Sequence, residues 1–309
     1  MNTRIFIDGD QGTTGLDLRR RLEQRPDLRL ITLPEKFRKD PEARRQALNS
    51  CDVAMLCLPD AAAREAVSLV SEPGVRIIDA SSAHRVSEGW TYGLPELDSA
   101  QAVRIGKASR VSNPGCYPTG AILLLRPLID AGILDAAQPL SIHAISGYSG
   151  QGRTGVDRFE RPGEPKKGVQ IYGLGLEHKH VPEIRRHAGL SVDPIFIPGY
   201  GAYRQGIVLT IPIHFEWLRS GTSGTMLQEC LHARYEACAH VRVEGLMDPA
   251  HASELDPQAL NGTDEVTLTV AANDRTGQAV LCAVFDNLGK GAAGAAAQNL
   301  NLLVGDPSS

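Results

Sequence analysis

The stretch Arg4-Ile5-Phe6-Ile7-Asp8-Gly9-Asp10-Gln11-Gly12-Thr13-Thr14-Gly15 decides the fold. Its first five residues form a compact β-branched and aromatic run that reads as a strand. Regularly spaced glycines follow, and a charged helical pattern continues through Leu22. A glycine loop between a first strand and a helix aims backbone N–H groups and the positive end of the helix dipole at one point, an arrangement suited to a pyrophosphate. Gly9, Gly12, Thr13, Thr14 and Gly15 are therefore expected to cradle a dinucleotide, with a plain tight turn as the alternative reading of the glycines.

Outward from this segment, strands at residues 28–33, 53–58 and 75–79 alternate with helices near 41–48 and 60–70, with Asp60 read as an N-cap. Strands at that spacing join in parallel only through crossovers, so the first ~110 residues read as a doubly wound sheet covered on both faces. A helix from about residue 116 to 131 follows, with Gly132 as its left-handed stop. The pattern then changes to strands at 140–146, 194–197, 206–215, 241–245, 265–273 and 278–286, with one strong helix at 223–239 and hairpin residues Asp274–Gly277. This is a second, mixed or antiparallel sheet. Residues 291–303 read as a small-residue helix and 306–309 as a loose tail.

The chain has 309 residues, 32 Lys+Arg against 36 Asp+Glu, and 42% hydrophobic residues. That mildly acidic balance offers no basic field for nucleic acid, and the length suits about two soluble domains of ~150 residues. The longest apolar stretch, 121–134, is broken by Arg126, Pro127, Asp130 and Gly132 and falls short of the ~20 residues of a membrane helix. With no signal-like apolar core near the start, the expected location is the cytoplasm and no membrane partner is expected. The six cysteines are scattered without a C-x-x-C and are expected as reduced thiols.

Of those six, Cys116 stands apart. In Asn113-Pro114-Gly115-Cys116-Tyr117-Pro118-Thr119 it lies between a turn and a helix opening, where unpaired N–H groups and the helix dipole favour thiolate below the free value of ~8.5. Cys51, Cys57, Cys230, Cys238 and Cys282 read as buried filler. His178-Lys179-His180-Val181-Pro182-Glu183 supplies two imidazoles and a carboxylate, with Glu183 as a partner that could fix the tautomer of a general base at His180. His-x-His with Cys116 also admits a zinc reading, and His143 reads either as a core histidine or as a competing base. Ser146 to Arg153 reads as a glycine and hydroxyl loop that wraps an anion with backbone N–H groups, or as a flexible hairpin. After the second strand, Glu35 favours a ribose hydroxyl, whereas Lys36 and Arg38 favour the 2′-phosphate of NADP.

Together with Asp79-Ala80-Ser81-Ser82-Ala83-His84-Arg85, Tyr92 to Glu96 and Asp286 to Gly294, these motifs resemble the short-chain N-acetyl-γ-glutamyl-phosphate reductases over nearly the whole chain. The resemblance implies an α/β Rossmann domain plus an α+β C-terminal domain of the glyceraldehyde-3-phosphate dehydrogenase type. It places the first domain at 1–115 with a returning helix in 287–309, and the second at 116–286. It also implies NADP(H), a small-molecule substrate, no metal, and a homo-oligomer, dimer or tetramer. By motif, Cys116 matches the family nucleophile and His180, with Glu183, the acid/base. In that mechanism Ser149, Gly150 and Arg153 are expected on the leaving phosphate and Asn287 on the nicotinamide carboxamide. Arg85, Asn113, His178 and Arg204 are expected on the substrate, although Ala83-His84 before Arg85 and the run 201–206 around Arg204 depart from the family pattern. Aspartate-semialdehyde dehydrogenase chemistry, a redox-free thiol hydrolase or acyltransferase, and a non-catalytic nucleotide sensor stay open at this point.

Overall fold

The computed structural model describes residues 2–163, 168–247 and 254–305, so the tail read at 306–309 lies outside the described residues. The chain divides into two compact units, Met1–Gly115 with Ala292–Ser309, and Cys116–Gly291.

In the first unit the opening run forms β1 (Thr3–Asp8), followed by α1 (Thr13–Leu22), β2 (Leu28–Ile31), α2 (Pro41–Ser50), β3 (Val53–Leu56), α3 (Asp60–Leu69), β4 (Arg76–Asp79), the short β5 (Thr91–Tyr92), α4 (Gln101–Gly106) and β6 (Arg110–Ser112). The sheet order is β2-β1-β3-β4-β6-β5, and every pairing is parallel. Order reverses beside β1, so the loop after β1 opens at the place where such sheets take ligands. Val53 to Leu56 are buried on both faces, which is why this strand reads as a continuous apolar run rather than an alternation. One face packs Ile5, Leu18, Val53, Ile78 and Ile105 together with Ala293 and with Ala296, Leu300 and Leu303 of the last helix. The other packs Phe6, Leu48, Ala54, Leu56, Ala66 and Ile77.

Asp60 is not the cap of α3. Pro59 holds that position, and the Asp60 carboxylate instead accepts from the N–H and hydroxyl of Ser82 at 3.0 and 2.7 Å. Asp40 does cap α2, accepting from the Ala43 N–H at 2.7 Å.

The second unit comprises α5 (Cys116–Asp130), β7 (Ser141–Gly147), α6 (Gly152–Glu160), β8 (Val169–Ile171), α7 (Val181–Ala188), β9 (Ile195–Gly201), β10 (Ile207–His214), α8 (Gly224–Tyr235), β11 (Val241–Val243), β12 (Val266–Asn273) and β13 (Gln278–Phe285). Its mixed seven-stranded sheet runs β11-β12-β13-β10-β7-β9-β8. Gly132, at φ +61°, ends α5 as expected, with the Gly132 and Ile133 N–H groups on Ile129 and Leu128 carbonyls. The sequence pattern shows one helix among these strands, but α6 and α7 are helices too; both are short, and glycines and a proline hide their periodicity. The chain re-enters the first unit at Ala292 through a π-helical turn, Gly289–Ala293, and α9 (Gly294–Val304). Among the described residues no helix is long and apolar enough to cross a membrane.

Candidate active site

In the first unit the glycine loop is shaped by close approach. Gly9 sits at φ +93°, and a Cβ there would lie 2.4 Å from the Cys57 carbonyl oxygen. A Cβ on Gly15 would lie 2.2 Å from the Gly9 oxygen. Gly12 caps α1, with its N–H on Gly9 O at 3.2 Å, and Thr13 and Thr14 open the helix. The Thr13 hydroxyl is buried without a hydrogen-bond partner. An orphaned donor at a helix N-terminus inside a cradle that only glycine permits fits a phosphate group.

The loop borders a cleft of about 730 Å³ within this unit, lined among others by Asp10, Glu35, Lys36, Arg38, Lys39 and Leu58. Lys36 is exposed over the Phe37 ring, 4.7 Å to its centroid. Asp10 is shared by Arg19 at 3.1 Å and Arg38 at 3.6 Å. The cleft also contains the buried Asp8–Arg44 pair at 3.0 Å, in which burial raises the Asp8 carboxyl above its ordinary value while Arg44 opposes that rise. Sequence patterning missed Asp10, Lys39 and Arg44 because their charges read as ordinary surface charge.

Asn113 follows β6 with its side chain committed inside the same unit: Oδ1 accepts from Asn299 at 2.9 Å and Nδ2 donates to Ala292 O at 3.0 Å. The buried Arg85 donates to the carbonyls of Asn113 and Ala80 at 3.0 and 2.9 Å. These expected substrate ligands thus brace the backbone that leads toward Cys116.

In the second unit Cys116 is the first residue of α5 and is half-buried. Its neighbour Tyr117 anchors an aromatic cluster. His180 lies 5.8 Å and His178 6.5 Å from the Tyr117 ring, the two histidines are 4.7 Å apart, and Phe196 packs on both Tyr117 and His178. Tyr172 stacks on Tyr200 at 4.5 Å and leans on His178. Burial raises the Tyr117 and Tyr200 phenols, and their interaction with Cys116 adds to the rise. Tyr172, Phe196 and Tyr200 went unnoticed in the sequence, where nothing links such distant aromatic residues. Cys51, Cys57 and Cys282 are pushed by burial up to about 11, 12 and 11, opposite to what a nucleophile needs. None of the six cysteines is in a disulfide, and Cys57, Cys230 and Cys238 are half-buried rather than fully buried filler.

The two histidines differ. His180 is buried at the N-cap of α7, with Glu183 buried in the same first turn. His178 accepts the His180 backbone N–H on Nδ1 at 3.1 Å, and burial, aided by Lys179, lowers it to about 4. His178 is therefore neutral at pH 7, as an accepting nitrogen requires. Because the unfolded ring titrates near 6.5, stability is complete above that pH and falls as pH drops toward 4. His178→Gln should flatten the decline in melting temperature over pH 6.5 to 4 by the equivalent of about 1 kcal/mol, discounted for partial exposure; an unchanged slope in thermal melts contradicts this. His143 is neither a core residue nor near these rings in any described contact. It is exposed on the sheet face opposite Ile142 and Ala144, because strand alternation turns it outward. Among the described residues no cluster of three or more His, Cys, Asp or Glu side chains could hold a metal.

The loop from Ser146 to Arg153 has part of its backbone committed, and it leads into a helix rather than a hairpin. The N–H groups of Gly147, Tyr148 and Ser149 bond the carbonyls of Gly206, Tyr203 and Arg204, and the chain turns through a 3-10 segment into α6. Ser149 is buried, Gly150 is exposed, and Arg153 is exposed and paired with Asp157 at 2.8 Å. Arg204 is exposed and paired with Glu160, which also accepts from the Tyr148 hydroxyl. Asn287 is buried on Ser149 and Gly206.

A family model described as semialdehyde dehydrogenase, dimerisation domain, matches residues 116–287, and one described as semialdehyde dehydrogenase, NAD binding domain, matches 34–105. The N-acetyl-gamma-glutamyl-phosphate reductase 2 of Pseudomonas putida is 60% identical over 97% of this chain and 96% of its own. The N-acetyl-gamma-glutamyl-phosphate reductase of Burkholderia cenocepacia is 60% identical over 98% of each chain. Among solved structures, aspartate semialdehyde dehydrogenase II from Vibrio cholerae has a TM-score of 0.73 at 18% identity, covering 99% of this chain and 100% of its own. Aspartate semialdehyde dehydrogenase with NADP from Candida albicans has a TM-score of 0.65 at 15% identity, covering 97% and 98%. At those identities the likeness concerns the fold.

Proposed function

The chain belongs to the N-acetyl-γ-glutamyl-phosphate reductases of the semialdehyde dehydrogenase family, and on that premise we propose that it reduces N-acetyl-γ-glutamyl phosphate to N-acetylglutamate semialdehyde, a step of arginine biosynthesis, through a thioester on Cys116. The observation that carries the reading is a thiol at the head of a fifteen-residue helix, beside a cluster holding two buried or half-buried histidines.

The Cys116 sulfur attacks the γ-acyl carbon and phosphate leaves, so one hard reduction becomes two easier steps. A reduced nicotinamide, when bound, would supply the hydride that reduces the resulting thioester. The α5 N-terminus favours first the thiolate and then the oxyanion of the thiohemiacetal. His180 protonates the developing alkoxide and takes that proton back as the thiohemiacetal collapses to the aldehyde and its C–S bond breaks to release the Cys116 thiolate. His178, held neutral, orients His180 through the backbone bond.

For the cofactor, Gly9, Gly12, Thr13, Thr14 and Gly15 would hold the pyrophosphate. Lys36 and Arg38, with Lys39 on the same cleft, support NADP over NAD. The double variant Lys36→Ala with Arg38→Ala should weaken NADPH about tenfold and NADH less than twofold, as read by fluorescence titration of the reduced ring; equal losses for both cofactors refute the assignment. The match to a dimerisation domain supports a homo-oligomer, and the enzyme's place in a biosynthetic step supports a cytoplasmic location.

The test is to add N-acetylglutamate semialdehyde, inorganic phosphate and NADP to the pure protein and to follow absorbance of the reduced cofactor. Phosphate-dependent reduction is expected. Reduction with aspartate semialdehyde in preference, or none at all, overturns the reading.

A further inference from the structure

Asn113 is held at each of its polar groups, and every hold comes from within the first unit. Its N–H donates to Asp79 O at 2.7 Å, and its carbonyl accepts from Arg85 Nε at 3.0 Å. Its Nδ2 donates to Ala292 O at 3.0 Å, and its Oδ1 accepts from Asn299 Nδ2 at 2.9 Å. Only Pro114 and Gly115 separate this residue from Cys116. The proline ring fixes one of those two links and turns Asn113 itself away from helical backbone, so the way Asn113 is held carries into the start of α5.

The hold from Asn299 is the unusual one. This residue is 0% exposed on α9, where the other buried positions are Gly294, Ala295, Ala296, Leu300 and Leu303. Its Nδ2 donates to Gly93 O and to Asn113 Oδ1, each at 2.9 Å. Backbone carbonyls settle the polarity of the pair. Gly93 O and Ala292 O can only accept, so each amide turns its nitrogen to one of them, and Asn113 is left presenting its oxygen to Asn299. The Asn299 Oδ1 is buried with no hydrogen-bond partner among the described residues. A buried amide satisfied at one end costs stability that an apolar side chain would not, so what Asn299 contributes lies in the two bonds it donates. Gly93 makes room for them: a Cβ there would lie 2.4 Å from Asn299 Nδ2 and 2.9 Å from Val111 Cγ1.

We propose that Asn299 is a positioning residue for the nucleophile: its carboxamide fixes Asn113, the anchor of the turn Asn113-Pro114-Gly115 from which Cys116 and α5 begin. The proposal rests on the reading of Cys116 as the nucleophile and extends that reading to a residue of the last helix. Asn299→Leu is the decisive variant. Leucine is close to asparagine in shape and donates nothing, so Asn113 Oδ1 loses its partner and the anchor loosens, while no reacting group is removed.

In the oxidative direction N299L should lower kcat about a hundredfold, the scale on which a misplacement of ~1 Å is felt. KM for inorganic phosphate should stay within about threefold and the dissociation constant of NADPH within about twofold. The variant should also raise, by about 0.5 or more, the pH at which alkylation of Cys116 by iodoacetamide is half-maximal, because the sulfur leaves its seat at the helix N-terminus; peptide masses identify Cys116 as the modified residue. Asn113→Ala should fall at least as far in kcat, and adding N299L to it should lower kcat no further, since the bond is already gone. A lowered melting temperature with parental kcat and parental alkylation midpoint in the folded range overturns the proposal, as do effects of N299L and N113A that multiply. Should N299L fail to fold, Gly93→Ala, which pushes the Asn299 amide without removing it, must lower kcat at least tenfold and move the same midpoint; parental values in G93A overturn it. Alkylation needs no substrate, so it separates the two levels of the argument. A parent without turnover whose Cys116 midpoint still moves in N299L sinks the acyl-phosphate reading alone. A parent that turns over while N299L matches it in both readouts sinks the positioning role alone.

Discussion

Cys116→Ser is expected to lower phosphate-dependent reduction of NADP by about 10⁴-fold or more, the scale on which loss of a covalent nucleophile is felt. The hydroxyl that replaces the thiol occupies the same seat at the start of α5. It nevertheless stays protonated near neutral pH, because helix N–H groups stabilise an anion by far less than the gap between alcohol and thiol acidity. NADPH binding should persist within twofold, since the glycine cradle and the cleft of Lys36 and Arg38 belong to the other unit. Two measurements check this: turnover by cofactor absorbance, and intact mass after mixing parent and variant with the acyl phosphate in the absence of cofactor. The parent should carry a trapped acyl group and the variant none. Parental turnover in Cys116→Ser, or an acyl group on another residue, ends the assignment.

His180→Asn should lower kcat by about 10²- to 10⁴-fold, the usual worth of a positioned general acid or base. Asparagine retains a hydrogen-bonding side chain at the buried N-cap of α7, so the fold should survive. The deciding readout is the pH–rate profile. If His180 exchanges the proton, the limb that depends on it disappears in the variant, whereas a loss of packing lowers the profile without changing its shape. A variant profile that overlays the parent's moves the role to another group. His178 is a weak replacement, because its lowered pKa leaves it neutral and accepting across the working range. His143 is weaker still, because it faces outward from the sheet.

How much of this site was legible along the chain follows from how local each cause is. The thiol at a helix opening is a local fact: Pro118 in the first turn and the turn Asn113-Pro114-Gly115 before it place Cys116 at the start of α5. The glycine loop is nearly as local, though the reason Gly9 and Gly15 admit no side chain lies in the Cys57 and Gly9 carbonyl oxygens. The segment from Ser146 to Arg153 was less legible for the opposite reason. Its glycines and hydroxyls suggested free N–H groups, and the run 203–206, more than fifty residues away, takes three of them. The surface pairing of Arg153 and of Arg204 with an acid was likewise invisible along the chain.

By itself the sequence determined the parallel first sheet, the mixed second sheet, the seat of Cys116 at a helix opening and the family, because strand and helix periods, turn chemistry and motif spacing are written in neighbouring residues. Tertiary structure alone decided that His178 is neutral, that His143 is turned to the surface, that Tyr117, Tyr172 and Tyr200 gather in one cluster with His178, and that Asn287 faces Ser149 rather than open space. Those are matters of burial and of hydrogen-bond direction. Both depend on which distant backbone groups arrive beside a side chain, and spacing along the chain carries no record of that.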